Sequence, residues 1–245
     1  MEELVDSLGL EPSVEIYVQV RFLPHPLLKL YNMTIDNFDL ISKHLEFNSP
    51  DDFYFVQILV RGKDGRELNV DGGLIGGSNK NRLVRIWTIR SIDELFKAKS
   101  DIISIANSVG GRVYIHPTKR SFKEVARECV RLTIESYLSE NYQNLKSSYS
   151  SACGISYVAS DKKFIIDLDY NKDFQDTSEG FYIGDYIDCL NNECDPINTE
   201  KLEYIVPTAH GMHLITKPFN IAKFKDRFPL VDIHKNNPTL LYFSE

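Results

Sequence analysis

Two aspartates, Asp167 and Asp169, interrupt an apolar run in segment 163–170, which reads KFIIDLDY. Side chains at alternate positions of a β-strand lie on the same face, so both carboxylates are expected to point the same way. Two such charges about 5 Å apart repel by a few kcal/mol at a protein surface, and a divalent cation held by oxygen ligands would offset that repulsion. The segment therefore predicts either a site for Mg²⁺ or Mn²⁺ or a strand that ends in two solvated aspartates.

Two further stretches carry side chains that could join this pair. His213 follows the turn 207–211 at the start of a short apolar strand, and Asp232 follows another apolar run in the sequence PLVDIH. If these strands are neighbours of the aspartate strand, the imidazole and the third carboxylate can face the same cleft. Phosphoryl transfer uses such a set, because metal ions about 4 Å apart compensate the charge on attacking and leaving oxygens, and an imidazole can donate to a phosphate oxygen.

In the order of these residues the chain resembles the archaeo-eukaryotic primase superfamily, the primase-polymerases. The first motif of that family, apolar-Asp-apolar-Asp, is matched at 166–169, the second, small-x-His, at 211–213, and the third, apolar-Asp, at 231–232. The matches are short motifs in about the last third of the chain. The resemblance implies a small phage-type or stand-alone member, in which an RRM-like palm with a mostly antiparallel sheet packs on an N-terminal α/β module.

The resemblance also implies roles for single residues. Asp167, Asp169 and Asp232 would be the catalytic metal ligands, and His213 would contact the phosphates of an incoming nucleoside triphosphate. The chain departs from the family pattern after Asp232, where the sequence IHKNNPTLLYF follows, so the third motif is the least well matched. No zinc-binding cysteine cluster or helicase-like segment accompanies the motifs, which would suit a stand-alone or phage-type protein, a subunit of a larger replication assembly or a descendant that has lost polymerisation.

Other polar residues near these motifs are secondary candidates. Thr208, Gly211 and Lys217 flank His213 and are assigned to nucleotide binding. Lys119 and Arg120, in the basic turn HPTKR, are assigned to contact with the backbone of a single-stranded or template nucleic acid. Exposed basic side chains without such a role would give the same pattern. The remaining histidines of these regions are interpreted as packing, surface or turn residues: His44, His116, His210 and His234.

Composition limits the class of protein. The chain has 245 residues, a net charge of −7 and a sequence pI near 5.4, so a nucleic-acid surface would have to be a local basic patch. Its four cysteines show no metal-ligand spacing, and a reduced, cytoplasmic chain is the expectation. The first residues lack the basic start and apolar core of a signal peptide, and no apolar run approaches the roughly 20 residues that cross a bilayer. No membrane contact is expected.

The elements that must position these residues indicate an α/β (α+β) protein. Ser91 and Ser121 are expected to cap helices that end near Val109 and Leu138. A shorter helix is expected at Ile35–Leu45. Apolar and β-branched runs predict the strands, which are Val14–Phe22, Phe53–Arg61, Arg82–Ile89, Arg112–His116, Gly154–Ala159, Lys163–Tyr170, Glu203–Val206, Met212–Thr216, Leu230–Ile233 and Thr239–Phe243.

Connections complete the prediction. Gly62–Gly65 is a hairpin turn, Asp71–Asn81 is a glycine-rich loop without a phosphate-binding motif, and Tyr182–Leu190 is a helix or a lid. Ile221–Phe228 is a short helix. The polar segment Glu140–Ser151 divides an N-terminal module, residues 1–145, from a palm module, residues 146–245, unless both form one continuous domain.

Three functions agree with this reading. The first is metal-dependent transfer of nucleotides onto a nucleic-acid strand by a primase-polymerase-like nucleotidyltransferase. The second is a non-catalytic nucleic-acid-binding accessory protein that keeps the fold and serves a replication partner. The third is a metal-dependent phosphoesterase, since hydrolysis needs similar metals with water as the nucleophile.

Overall fold

The computed structural model describes residues 34–62, 81–169 and 183–244. These residues form two antiparallel sheets with helices packed on them, so the α+β class is confirmed. The predicted strand Val14–Phe22 and nearly all of the Gly62–Gly65 turn and the Asp71–Asn81 loop lie outside the described residues.

Ten strands follow one another along the described chain. They are β1 (Thr34–Asp36), β2 (Asp52–Val60), β3 (Arg82–Ile89), β4 (Arg112–Ile115), β5 (Arg120–Ser121), β6 (Phe164–Asp169), β7 (Leu202–Pro207), β8 (Gly211–Thr216), β9 (Asp232–His234) and β10 (Thr239–Ser244). The large sheet has the order β1-β10-β4-β2-β3, and β5 pairs with the start of β2. The small sheet has the order β7-β8-β6-β9. Strand β6, which carries the two aspartates, is therefore an inner strand.

In the described ranges, six α-helices connect or cover these strands. They are α1 (Phe38–Ser42), α2 (Ile92–Val109), α3 (Phe122–Leu138), α4 (Ser148–Ile155), α5 (Ile183–Asp188) and α6 (Ile221–Arg227). Short 3-10 turns lie at Tyr142–Ser147 and Ala159–Asp161, and α5 continues into a π-helical turn at Cys189–Glu193. The Ser91 and Ser121 hydroxyl oxygens accept hydrogen bonds from the backbone amides of Glu94 and Glu124, which confirms both predicted caps.

One hydrophobic core is shared by the two sheets and α2. The large sheet contributes Tyr54, Val56 and Ile58 among others, while the small sheet contributes Ile165, Tyr204, Val206 and Ile215. The opposite face of the small sheet packs on α5 and α6 through a second core that contains Ile166, Leu168, Tyr186 and Phe224. The sequence pattern of β6 follows from this arrangement, because its alternate residues enter two different cores.

The chain has no clean boundary near residue 145. Strand β10 lies between β1 and β4 in the large sheet, and the shared core takes residues from both sides of that position. A division into residues 1–145 and 146–245 would cut one sheet and one core. None of the described helices combines the length and the apolar character needed to cross a membrane.

Two predicted elements were wrong. Ile35 lies in β1 opposite Phe243, and the helix that follows spans only Phe38–Ser42, because pairing with the distant β10 overrides the local helical pattern. Residues 154–159 are not a strand. Gly154 lies in α4, whose Ala152 and Cys153 are buried against the large sheet, and a short apolar run does not by itself distinguish a strand from a buried helix.

Candidate functional site

Three of the predicted site residues form one row across the small sheet. Asp167 on β6 has His213 on β8 as its Cα partner on one side and Asp232 on β9 on the other. Residues directly opposite in antiparallel strands have side chains on the same face, with Cβ atoms about 4.5–5.5 Å apart. Asp169 follows two residues further along β6 and shares that face, since side chains alternate. The sheet thus brings together three carboxylates and one imidazole.

This face is the one that turns towards the large sheet. On β6 it begins at Ile165, which is buried in the shared core, and continues outwards to Asp167 and Asp169, which are partly exposed. The Asp167 side chain is 32% exposed and that of His213 is 14% exposed, while Asp232 is exposed. The polar row therefore lies at the margin of the shared core, where solvent and a ligand can reach it.

His213 connects this row to the large sheet. Its Nε2 lies 3.4 Å from Oδ1 of Asp167, and its Nδ1 lies 2.8 Å from the hydroxyl oxygen of Thr239. Thr239 is the first residue of β10 and is fully buried. Sequence reasoning missed Thr239, because nothing in the local pattern TLLYF indicates that its hydroxyl meets an imidazole of another sheet.

The turn before β8 ends at Gly211, the small residue of the small-x-His motif. The Thr208 amide donates to the Gly211 carbonyl at 3.0 Å and closes the turn between β7 and β8. Gly211 lies beside Asp169 in the register, with backbone so close that the position has no space for a side chain. His210 is exposed in this turn, as predicted.

The donor set agrees in chemistry with a hard divalent cation. Mg²⁺ and Mn²⁺ prefer oxygen ligands, and Asp167, Asp169 and Asp232 supply carboxylates on one face. Within the described ranges, however, no group of three or more His, Cys, Asp or Glu side chains converges closely enough to hold an ion. The residues thus provide suitable ligands on one face without a converged coordination sphere.

Lys217 does not join the row. It follows the end of β8 four residues beyond His213, which corresponds to about 13 Å along a strand. Its ammonium lies 3.5 Å from the Glu200 carbonyl oxygen, and its side chain is exposed. A direct contact between Lys217 and a phosphate bound at His213 is not supported by this position.

Lys119 and Arg120 are buried, which corrects the prediction of an accessible basic turn. Lys119 is 6% exposed and its ammonium lies 3.6 Å from Oδ2 of Asp52. Arg120 is 0% exposed, and its guanidinium donates to the Cys153 carbonyl and to the Thr118 carbonyl, both at 2.7 Å. Burial lowers the pKa of Arg120 to about 10. Neither side chain presents its charge to a nucleic acid here.

The contact between Arg120 and His116 determines the protonation state of the histidine. One terminal guanidinium nitrogen lies 2.7 Å from Nδ1 of His116, and because arginine only donates, that Nδ1 must accept. His116 is therefore neutral, with its proton on Nε2. Desolvation, and then the charge of Arg120, hold its pKa well below the ordinary value. The packing role expected for His116 agrees with this environment.

Asn236 extends this buried cluster to the site. Its Oδ1 accepts from Arg120 at 2.9 Å, and its Nδ2 donates to the carbonyls of Gly154 and Ile155. Asn236 lies in the connection between β9, which carries Asp232, and β10, which carries Thr239. The cluster thus fixes the segment that supplies two residues of the site.

Two other histidines pack as predicted. His44 stacks on Tyr204, with ring centroids 4.0 Å apart, and His234 lies on β9 opposite Ile165.

Comparison with protein-family models, with curated proteins and with solved structures gave no match to this chain. A functional assignment therefore depends on the chemistry of the row formed by Asp167, His213 and Asp232, together with Asp169.

Proposed function

We propose that this protein is a primase-polymerase-like nucleotidyltransferase, which adds nucleotides to a nucleic-acid strand in a metal-dependent reaction. One observation carries the proposal: the register of the small sheet places His213 and Asp232 on either side of Asp167. Three separate short motifs thereby meet on one face. Chance matches at three places along the chain would not be expected to fall on adjacent positions of neighbouring strands.

In this proposal Asp167, Asp169 and Asp232 hold Mg²⁺ or Mn²⁺. When bound, these ions would neutralise charge on the reacting phosphate and on the leaving group. The protein contributes three like charges on one face of the sheet. Two carboxylates about 5 Å apart repel each other by roughly 3 kcal/mol at an effective dielectric constant of about 20. That repulsion favours cation binding, because an occupied site relieves it.

His213 is the proposed contact for the triphosphate. Its Nε2 edge is directed to the carboxylate row, and the turn that ends at Gly211 has backbone rather than a side chain beside Asp169. An N–H at Nε2 can donate to a phosphate oxygen. The proposed place for the triphosphate is therefore the margin of the shared core, between the β7–β8 turn and the carboxylates.

The proposed substrates are nucleoside triphosphates and a single-stranded or template nucleic acid. In the reaction the 3′-hydroxyl oxygen of the strand bonds to the α-phosphorus, the bond to the bridging oxygen breaks, and pyrophosphate leaves while the hydroxyl proton passes to solvent. The described cysteines carry free thiols, in agreement with the proposal of a cytoplasmic protein. A replication protein is the proposed partner.

The test incubates the protein with primed and unprimed templates, labelled nucleotides and Mg²⁺ or Mn²⁺. Wild type should form extended or de novo products, whereas Asp167→Asn and Asp232→Asn should lower the rate by about 100-fold or more. Asp226→Asn is the matched control, because Asp226 is an exposed aspartate on α6, which packs on the opposite face of the small sheet.

Other outcomes would support the alternative functions. If wild type and the Asp167→Asn variant are equally inactive while both bind single strands, the protein is a nucleic-acid-binding accessory protein. If the template is shortened, and the shortening depends on Asp167 and Asp232, the protein is a phosphoesterase.

A further inference from the structure

A side-chain contact connects the imidazole of the site to the large sheet. Nδ1 of His213, on β8, lies 2.8 Å from Oγ1 of Thr239, on β10, and the threonine is 0% exposed. His213 itself is held by the small sheet on both sides, through Asp167 on β6 and Val206 on β7. The orientation of its ring therefore depends on both sheets.

The chemistry of the two ring nitrogens decides the direction of this bond. Nε2 of His213 lies 3.4 Å from Oδ1 of Asp167, and an ionised carboxylate only accepts. A proton on Nε2 is attracted by that carboxylate, whereas a lone pair on Nε2 is repelled. In the neutral ring the proton then resides on Nε2, so Nδ1 is an acceptor and the Thr239 hydroxyl is the donor.

We propose that Thr239 is a positioning residue, whose hydroxyl donates to Nδ1 of His213 and fixes the orientation of the ring in the tautomer that carries its proton on Nε2. That tautomer presents an N–H at the carboxylate row, where the triphosphate is proposed to bind. The consequence for nucleotide binding depends on the proposed function. The orientation of the ring by Thr239 does not.

Thr239 is itself held firmly. The carbonyl of the next residue, Leu240, accepts from Nδ2 of Asn37 at 2.9 Å, and the same nitrogen donates to the Pro207 carbonyl on β7 at 3.0 Å. One buried amide thus joins both sheets directly beside the site. On the other side of Thr239, Asn236 is bound by Arg120 and by the carbonyls of α4. Fixed backbone on both sides lets one hydroxyl define the direction of the ring.

The test uses long-range proton–nitrogen NMR of ¹⁵N-histidine protein, without metal and in alkaline buffer. A His213→Gln spectrum identifies the His213 signals among those of the six histidines. Wild type and Thr239→Ser are expected to show a pyridine-type Nδ1 and a pyrrole-type Nε2. Thr239→Val, which keeps the shape and removes the hydroxyl, should move the Nδ1 signal away from its wild-type position, because Nδ1 loses its donor. A wild-type proton on Nδ1, or unchanged signals in Thr239→Val, would overturn the proposal.

The chain offers a matched control at Thr216 on β8. This threonine is also 0% exposed, but its hydroxyl has no hydrogen-bond partner among the described residues. Thr216→Val should leave the His213 signals unchanged. If a buried threonine hydroxyl on these strands had only a general structural role, both valine variants would alter the His213 signals. That outcome would also contradict the proposal.

A kinetic measurement separates this proposal from the proposed function. If the protein polymerises, Thr239→Val should raise the KM for the nucleotide about tenfold, the effect of one lost hydrogen bond, while Thr239→Ser and Thr216→Val leave it unchanged. If no polymerisation is found but the NMR result is as expected, the proposed function fails and the positioning role of Thr239 stands. An unchanged KM in an active Thr239→Val variant would contradict the role in nucleotide binding.

Discussion

The carbonyl oxygen of Leu168 lies only 1.8 Å from the point where a Cβ on Gly211 would be built. Leu168 separates the two aspartates of β6, and Gly211 begins the strand that carries His213. The close approach of these backbones explains in physical terms why the motif has a small residue two positions before the histidine. Any side chain at 211 would push β8 away from β6 at the level of Asp169.

Gly211→Ala is therefore expected to destabilise the protein. The added methyl group meets backbone atoms that cannot rotate away, so the free energy of unfolding should fall by about 2 kcal/mol or more. Urea unfolding followed by circular dichroism measures the change. Gly154→Ala on α4 is the control, because nothing lies within 4 Å of its added Cβ, and alanine favours a helix by roughly 0.5–1 kcal/mol. Equal losses in both variants would contradict the steric explanation.

Arg120→Lys should reduce stability rather than nucleic-acid affinity. A lysine cannot reproduce the planar set of donors that reaches two carbonyls, His116 and Asn236, so the loss is expected to be about 2 kcal/mol or more. Urea unfolding tests this, with the exposed Arg90→Lys as the control that keeps the wild-type midpoint. If Arg120→Lys kept the wild-type urea midpoint and lost affinity for single-stranded DNA, this prediction would be wrong.

Acid should destabilise the fold through His116. The pKa of this buried ring is far below its ordinary value near 6.5, so below that pH the unfolded chain binds a proton that the folded chain does not. Stability therefore falls as pH falls through 6.5, by about 1.4 kcal/mol per pH unit from this one group until its folded pKa is reached.

Urea unfolding at pH 7.5 and pH 5.5 measures this dependence. His116→Asn, which lacks the titrating ring, should lose less stability than wild type between the two conditions. The control His210→Asn, in the exposed turn, should lose as much stability as wild type. Cys153 and Asp161 act electrostatically on Arg120, which in turn faces the His116 ring, so the difference between the variants is the diagnostic quantity. An identical loss in all three proteins would refute the assignment.

Asn37→Ala should weaken the connection between the two sheets. The variant leaves the carbonyls of Pro207 and Leu240 without their shared donor, and each buried hydrogen bond is worth about 1 kcal/mol. The expected loss of about 2 kcal/mol can be measured by thermal unfolding. Asn192→Ala removes an exposed asparagine contact on the π-helical turn, and it should leave the melting temperature close to that of wild type.

The sequence predicts local features of this protein well. Alternation of Asp167 and Asp169 with apolar residues placed both carboxylates on one face, and Ser91 and Ser121 were identified as caps, because these features depend on neighbours in the chain. The position of Thr239 and the burial of Arg120 were not predictable in this way. Both depend on partners from other strands and helices, and a basic residue in a turn-like sequence gives no local sign that it will be buried.

Strand β10 has a consequence for how the molecule matures. It fills the space between β1 and β4, and its Ser244 pairs with Thr34, a separation of 210 residues. Until β10 is synthesised, the nascent chain therefore has an incomplete large sheet with unpaired backbone amides, which favour association with other chains. Since β10 also supplies the partner of His213, a translation product that stops before β10 would lack both a complete large sheet and the Thr239 hydroxyl that contacts the imidazole.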